Sequence, residues 1–437
     1  METIIGIILL ITFLAFIYYC AKGGNLMLGL FIMSILWAVL GAIAGTVNWT
    51  TINTTIFNDG PTSFGPTAVY IIFGSWFGRV LIETGIAGTI IRKAVELGGD
   101  RPSITCILLC IVTALIFTTS YGPGAVVAIG VIVFPIMLSL GISKAVAAAS
   151  FVMSVGCGLY FNQSLLTQAA GAMAIDDVKF LSTPEEWSVW YRFAFVAFAV
   201  HMISIIVMVL IGTRSKKGAK VHAWAATAAD TGKNVNALAM LTPLIPVSLS
   251  IAFKLNQIPA ILIAVIWAFL WTGNLKSWNK VAEIVQKTFH DGVADVGLVL
   301  AFLMFLQMFI KSAGTVKSLL APIVAPIIPS NTFLLFALFG ILSFLALFRG
   351  PLTIWGAGIA TYAIVAEATG LPLGVLYPLF YILCCTVTTN VCPTQSWNMW
   401  AIGYTQVNTK DFMVRTLPYA LPCAFLLEII AYFMFAI

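Results

Sequence analysis

The sequence contains very little charge. Only 9% of its 437 residues are Asp, Glu, Lys or Arg, whereas 61% are hydrophobic and the mean hydropathy is +1.04. Soluble globular domains carry about 25% charged residues. The composition therefore excludes a soluble globular protein and predicts an integral membrane protein.

Histidine is equally scarce, and cysteine is absent from the loops. Three histidines argue against a metal centre, and cysteines inside apolar segments suggest neither a disulfide framework nor a zinc spacing. We therefore predict no metal and no cofactor. The net charge of +6 is interpreted through loop placement rather than as nucleic-acid binding. The cysteines are Cys20, Cys106, Cys110, Cys157, Cys384, Cys385, Cys392 and Cys423.

Long apolar runs are present from end to end, and each is long enough to cross a hydrocarbon core of about 30 Å as a helix. Each half of the chain is predicted to hold five crossings and one re-entrant hairpin. Because five is an odd number, the second half starts on the opposite side of the membrane from the first, and the two halves are predicted to be inverted repeats. The first half comprises 3–20, 25–46, 66–84, a hairpin at 102–140, a broken span at 143–170, and 189–213. The second half comprises 238–254, 257–274, 291–312, a hairpin at 331–368, a broken span at 371–399, and 414–436.

The basic residues give an orientation. With Met1 outside, fifteen Lys and Arg fall on the inner face and five on the outer face, as the positive-inside rule requires. The predicted units are an N-terminal repeat at 1–213, a cytoplasmic linker at 214–237 and a C-terminal repeat at 238–437, with both termini outside. Arg79 and Arg349 remain at membrane depth, and we expect Arg79 to pair with Glu83, four residues further along the helix.

Similar short sequence motifs follow the third span of each half. Residues 83–89 read ETGIAGT and residues 311–317 read KSAGTVK, which is a further point of register between the halves. The segments behind them, 86–97 and 315–328, are predicted to be short interfacial connecting helices.

Polar kinks containing Gly or Pro interrupt both halves in the same order. They lie at 117–124 and 156–164 in the first half, and at 348–353 and 388–396 in the second. Backbone that leaves a helix in a bilayer is tolerated only where it is buried in protein or lines a cavity. Matched interruptions in two halves of a chain indicate a transporter site at the midplane, formed by discontinuous helices.

The polar residues at these kinks are the candidate substrate ligands. The alternatives are hydroxyls bonded back to their own helix and ordinary interhelical hydrogen bonds. The candidates are Thr119, Ser120, Tyr121 and Gly122, then Asn162, Gln163 and Ser164, then Arg349, Gly350 and Thr353, and finally Asn390, Thr394, Gln395 and Ser396.

Arg349 is the most informative single residue, because it lies in an apolar segment beside Gly350 with no acid near it in sequence. A guanidinium at membrane depth requires an anionic or carbonyl-rich partner, and its planar fork suits a carboxylate. We predict that Arg349 binds a substrate carboxylate; the alternative is a structural bond to backbone carbonyls or to a distant acid such as Glu367 or Glu428.

Acidic residues that would carry a coupling ion are few. Asp295, at the start of a predicted span, and Glu367, at the end of the second hairpin, are the candidates, since a desolvated carboxyl can titrate near neutral pH. Glu428, in the last span, has the same capacity. For each of them the alternative is a boundary or packing role.

Several sequence features of this chain resemble those of the ion transporter superfamily. They are the motif ELGGDRP at 96–102, the hairpin followed by VFPI at 133–136, and the doubled plan of hairpin and broken span. Within it, the chain is most similar to gluconate permeases and citrate transporters of bacteria. The resemblance implies hairpin tips and unwound helices that enclose substrate and cation, in a dimer that works by an elevator motion. The Ser-Asn-Thr tip signature of the sodium-coupled dicarboxylate members is absent from both hairpins.

These features together predict an inner-membrane secondary transporter of a small organic anion, such as a sugar acid, hydroxycarboxylate or dicarboxylate. Its expected partners are the anion, a coupling proton or sodium ion with proton symport favoured, the lipid bilayer and a second copy of the chain, and no nucleic acid. A cation/proton antiporter of the same superfamily is the alternative, and a membrane-embedded enzyme or a channel is a more remote one. The expectation is that the protein is not an enzyme.

Overall fold

The structure is a computed structural model that describes residues 2–22, 24–99, 101–174, 179–213, 234–324, 326 and 328–437. These residues form helices and connecting turns, with no strand among them, which confirms the predicted all-helical class. The predicted linker at 214–237 lies outside the described residues as far as residue 233.

The first half begins with two long helices and contains a helical hairpin and a bent helix pair. Short helical turns at Trp49–Thr51, Ile52–Asp59 and Gly60–Ser63 precede its third long helix. The helices are α1 (Glu2–Ala21), α2 (Leu26–Ala44), α3 (Gly65–Glu83), α4 (Ile86–Gly98), α5 (Pro102–Phe117), α6 (Pro123–Ser139), α7 (Lys144–Gly158), α8 (Gln163–Ala172) and α9 (Pro184–Thr213).

The second half follows a similar order. Irregular helical turns extend several of its helices, at Ala239–Leu244, Asn274–Lys276, Ser343–Arg349, Cys384–Thr388 and Tyr432–Ala436. The helices are α10 (Ile245–Phe253), α11 (Gln257–Trp271), α12 (Trp278–Val324), α13 (Thr332–Ile341), α14 (Gly358–Thr369), α15 (Leu373–Leu383), α16 (Ser396–Thr405) and α17 (Thr409–Ala431).

Asparagine and serine side chains set where several helices begin. Asn25, Ser143, Asn162, Asn331 and Asn408 each precede a helix and accept a hydrogen bond from a backbone N–H of its first turn. This bond satisfies one of the amides that have no partner inside the helix. The start of the second helix of the broken pair at residue 163 is thus determined by the local sequence.

Six helices in the described part of the chain are long and apolar enough to span a membrane, and two bent pairs bring the number to eight if each pair is one span. The pair α7–α8 is bent by 72°, and α13 is bent by 56° from the turn at Ser343–Arg349. Helices α5 and α6, with 16 and 17 residues, are about 24 and 26 Å long, shorter than a core of about 30 Å. The protein is therefore a multi-pass membrane protein, whereas ten crossings stay a prediction.

The buried apolar side chains form two large clusters, one around each hairpin. Hairpin α5–α6 belongs to one cluster, together with α7, α11 and the start of α16. Hairpin α13–α14 belongs to the other, together with α1, α8 and α15.

Each broken span passes from one cluster to the other at its break, because α7 and α8 belong to different clusters and so do α15 and α16. The first broken span starts in the cluster of hairpin α5–α6 and the second starts in the cluster of hairpin α13–α14. This opposite order is expected of inverted repeats, and both breaks lie where the two clusters meet. The repeats themselves remain a prediction.

One predicted element is wrong. Helix α12 runs without a break from residue 278 to 324, so residues 315–324 continue the span instead of forming a separate connecting helix. The reason is local: Gly85, in the first motif, adopts φ +78° and ends α3 before α4 begins, whereas Gly314, in the matching motif, remains inside α12. Because glycine tolerates both conformations, the similar sequences did not reveal which one turns.

The two broken spans contact each other at Gly156, where a Cβ atom would collide with Asn390 Oδ1 and with the Cys385 carbonyl oxygen. We expect Gly156→Ala to destabilise the protein by about 1–3 kcal/mol, the usual result of overpacking. The thermal unfolding midpoint of the purified protein measures this effect.

The matched control is Gly403→Ala in α16, because a Cβ atom there meets nothing within 4 Å and alanine suits a helix better than glycine. Equal midpoints for the two variants would contradict the close contact at Gly156.

Candidate functional site

Asn162 joins the first break to the tip of the first hairpin. Its Oδ1 accepts the Leu165 N–H at 3.1 Å, which starts α8, and its Nδ2 donates to the carbonyl oxygens of Phe117 at 2.9 Å and Ser120 at 2.7 Å. The side chain is completely buried. One amide therefore satisfies backbone groups of both interrupted elements and fixes their relative position.

Three other candidates of the first half bond to neighbouring helices, two of them to the second half. Thr119 Oγ1 donates to the Pro243 carbonyl at 3.0 Å, and Ser164 Oγ accepts from Gln257 Nε2 at 2.6 Å. Gln163 Nε2 donates to the Tyr191 hydroxyl at 2.6 Å, whereas its buried Oε1 has no partner among the described residues.

These side chains line a small pocket with about 210 Å³ of empty space, part of it open to the outside. Sequence reasoning missed Gln257, whose signal was an amide at the start of an apolar segment. The pocket is lined by Thr118, Thr119, Gln163, Ser164, Pro246, Val247, Gln257 and Ile261.

The rest of the first tip is buried and tightly held. Tyr121 OH donates to Gln168 Oε1 at 2.6 Å, and Ser120 Oγ is buried without a partner in the described structure. Gly122 adopts φ +100°, which favours glycine, and α6 begins at Pro123 directly behind it.

Asp295 lies against the first turn of α6, because a Cβ atom at Gly124 would collide with its carboxylate. A helix N-terminus attracts negative charge, and the sequence suggested a substrate anion for this position. In the structure, a carboxylate of the protein lies there.

The two coupling-ion candidates are both ion-paired. Asp295 accepts from Nε and Nη2 of Arg79 at 2.5 Å each, and Glu367 lies 3.0 Å from Lys317 Nζ. The predicted pairing of Arg79 with Glu83 is wrong, because Arg79 reaches across to α12 while Glu83 pairs with Lys287, also on α12, at 2.7 Å. A sequence shows neighbours along one helix and cannot show that a second helix offers a bidentate partner.

The second tip is built around Arg349, which lies half-buried. Its Nη1 donates to the Trp355 carbonyl at 3.2 Å and its Nη2 to the Thr394 carbonyl at 3.5 Å. Phe348 and Arg349 both have positive φ, 53° and 61°, a conformation that side chains with a Cβ rarely adopt. The arginine thus connects the second hairpin to the second break.

Further contacts complete the second tip. Thr388 Oγ1 donates to Thr353 Oγ1 at 3.0 Å, and the Phe348 N–H points at Cys392 Sγ at 3.2 Å. The amide of Gly350 donates to the Leu347 carbonyl at 2.9 Å.

The amides of the second break are partly unsatisfied. Asn390 lies 2.8 Å from His201 Nε2 through its Nδ2, while its Oδ1 has no partner among the described residues. Gln395 Oε1 is likewise buried without a partner, and Ser396 is exposed. Asn398, which the sequence did not single out, donates to the Cys392 carbonyl at 3.0 Å.

The candidates therefore meet in two groups rather than in one pocket. Thr119, Gln163 and Ser164 face α10 and α11, whereas Arg349, Thr353 and Thr394 lie at the second tip. The two broken spans that carry these groups are in contact, because the Tyr381 hydroxyl donates to the Leu159 carbonyl at 2.8 Å.

Hairpins and bent helices that exchange partners across two clusters define a class of helical multi-pass membrane fold, and solved transport proteins share it. The Alcanivorax borkumensis YdaH transporter superimposes with a TM-score of 0.63 at 14% identity, covering 94% of this chain and 98% of its own. Neisseria gonorrhoeae MtrF, described among antimetabolite efflux pumps, superimposes with a TM-score of 0.62 at 14% identity, covering 96% and 97%. At this identity the likeness shows the fold alone.

No protein-family model and no curated protein matches the chain. The more specific resemblance to gluconate permeases and citrate transporters stays a prediction.

Asn162→Asp tests the connection between break and tip. One carboxylate oxygen still accepts the Leu165 N–H, but the other replaces a donor and faces two carbonyl oxygens, so we expect a loss of about 1–3 kcal/mol. Thermal unfolding of the purified variant measures it.

Asn331→Asp is the matched control, because exposed Asn331 only caps α13 and aspartate caps equally well. A similar loss in both variants would show that the bonds to Phe117 and Ser120 do not stabilise the tip.

Proposed function

We propose that the protein is a secondary active transporter of a small organic anion, such as a sugar acid, hydroxycarboxylate or dicarboxylate, driven by proton symport through an elevator-type motion. The observation that carries this proposal is the Arg349 guanidinium, which lies at a hairpin tip without an acidic partner among the described residues. The transporter fold shared with YdaH and MtrF supports it.

Arg349 has no ion pair among the described residues, and two candidate acids are paired with other basic residues. Asp295 pairs with Arg79 and Glu367 with Lys317. A guanidinium has five N–H donors, and only two of them bind protein carbonyls here. The remaining donors and the net positive charge suit a carboxylate, and a substrate anion would supply the missing countercharge.

The other candidate ligands, in both groups, keep their proposed roles. Hydroxyl and amide groups with unsatisfied buried atoms, at Ser120, Gln163, Asn390 and Gln395, suit the hydroxyl and carboxylate oxygens of such an acid. A buried polar atom without a partner is costly, so a ligand that satisfies several of them gains affinity.

One alternative function and the direction of transport are also open to test. A cation/proton antiporter would use Asp295 or Glu367, and the ion pairs that hold both carboxylates weaken that reading. For the direction of transport, the description of MtrF as an antimetabolite efflux pump favours testing export of organic anions as well as uptake.

The test is thermal stability of the purified protein with gluconate, citrate or succinate at a neutral and an acidic pH, with and without sodium. A ligand that binds only the folded state raises the unfolding midpoint. We expect at least one acid to stabilise the wild type, and Arg349→Lys to lose this effect because a point charge cannot replace the planar fork.

Arg192→Lys is the matched control, since Arg192 is exposed on α9. Stabilisation that persists in Arg349→Lys would refute the role of Arg349. Stabilisation by metal cations or pH alone, with none by the acids, would favour the antiporter.

A further inference from the structure

A completely buried polar cluster lies behind the contact between the two broken spans. Its members are Glu428 on α17, Tyr160 in the first break, His201 on α9 and Asn390 in the second break, and none has any exposed surface. The proposed anion site uses none of these groups except Asn390.

The cluster is short of hydrogen bonds. Both carboxyl oxygens of Glu428, the Tyr160 hydroxyl, His201 Nδ1 and Asn390 Oδ1 all lack a partner among the described residues. Buried side-chain polar atoms are normally satisfied, so several unsatisfied atoms in one place mark a site that binds something in another state of the protein.

The members adjoin one another. The rings of Tyr160 and His201 are 5.8 Å apart between centroids, and Asn390 Nδ2 lies 2.8 Å from His201 Nε2. Helix α17 lies along α9, where the Ser204 hydroxyl donates to the Tyr419 carbonyl at 3.1 Å and the Phe193 and Phe435 rings are 5.4 Å apart between centroids. Glu428 and His201 both lie between these two contacts. With the Asn390 amide donating to Nε2, a neutral His201 carries its proton on the unsatisfied Nδ1.

Among the described residues, no charged side chain forms an ion pair or hydrogen bond with Glu428. The charged residues of the packed helices lie toward their starts, with Lys144 beginning α7 and Glu185, Glu186 and Arg192 in the first three turns of α9. Helix α13 has no ionisable side chain, and Arg349 donates to the carbonyls of Trp355 and Thr394. The charged residues of α17 itself lie in its first two turns, at least thirteen residues before Glu428. The buried ionisable side chains of the surrounding elements are Cys157, Tyr160, His201, Tyr377, Tyr381, Cys385 and Cys423.

A carboxylate without countercharge or donors in this interior would cost several kcal/mol. The neutral acid costs far less, so Glu428 carries a proton in the conformation described. Because an ionisable residue inside a membrane protein marks a functional site by default, this proton is available for coupling.

We propose that Glu428 binds the coupling proton, with Tyr160, His201 and Asn390 as its polar surroundings next to the two breaks. This inference rests on the proposed function, since it names the coupling site of that transporter. When the site opens, the O–H bond of the carboxylic acid breaks, the carboxylate keeps the electron pair, and the proton passes to water on the open side. His201 and Asn390 connect this change to the second break.

The experiment compares wild type with Glu428→Gln in proteoliposomes, using gluconate as the probe. A gradient of about one pH unit supports about tenfold accumulation of a monoanion that moves with one proton. We expect the wild type to accumulate gluconate and Glu428→Gln only to equilibrate it, while gluconate counterflow, which needs no net proton movement, continues. Driven accumulation at the wild-type level in Glu428→Gln would overturn the proposal.

Glu283→Gln is the matched control, since Glu283 is exposed near the start of α12, and it should accumulate gluconate like the wild type. Glu428→Asp keeps the carboxyl and should restore driven accumulation, which separates proton binding from packing. If Glu428→Gln fails to fold, Glu428→Asp with a shifted pH profile supports the proposal, and an unshifted profile overturns it.

If the wild type transports no gluconate, an infrared measurement still tests the proton site. Failure of the proposed anion transport can then be distinguished from failure of the proton-binding proposal. The wild type at neutral pH should show the carbonyl band of a buried protonated carboxylic acid that Glu428→Gln lacks. Absence of that band from the wild type would overturn the proton site whatever the transported solute is.

Discussion

The interruptions of the helices inside the membrane impose the constraint on which the rest of this structure depends. Each break exposes backbone carbonyl and amide groups where no water satisfies them, so another part of the protein must supply the partners. At the first break the partner is Asn162, which donates to two carbonyls of the hairpin tip. At the second break it is Arg349, a residue of the hairpin, which donates to the carbonyl of Thr394.

Both halves thus satisfy backbone carbonyls with a side-chain donor, but the donor lies on different elements and differs in charge. A neutral amide on the broken span serves the first half, and a cation on the hairpin serves the second. The two solutions are equivalent for holding the backbone, but only the second leaves a positive charge without an acidic partner among the described residues. This asymmetry between otherwise similar halves is what our proposal uses to explain the preference for an anion.

The acidic residues divide according to burial. Glu83, Asp295 and Glu367 retain some exposed surface and pair with basic residues, so they hold helices together at the edges. Glu428 is fully buried and has no partner in the part of the chain that the structure describes, and its neutral form is compatible with the surrounding apolar packing. The same side-chain chemistry consequently serves as a structural contact at the periphery and, in our proposal, as a proton-binding group at the centre.

The sequence by itself determined the all-helical membrane class, most helix bounds to within about five residues, and the position of all four interruptions, because apolar run length and Gly/Pro placement act locally. The exception is α12, predicted at 291–312 and observed at Trp278–Val324. The sequence could not determine which residues satisfy each other across the breaks. The pairing of Arg79 with Asp295 rather than Glu83, the bonds of Asn162 to the first hairpin, and the isolation of Glu428 all join elements far apart in the chain. Those contacts depend on which helix faces come together, and only the tertiary structure decided that.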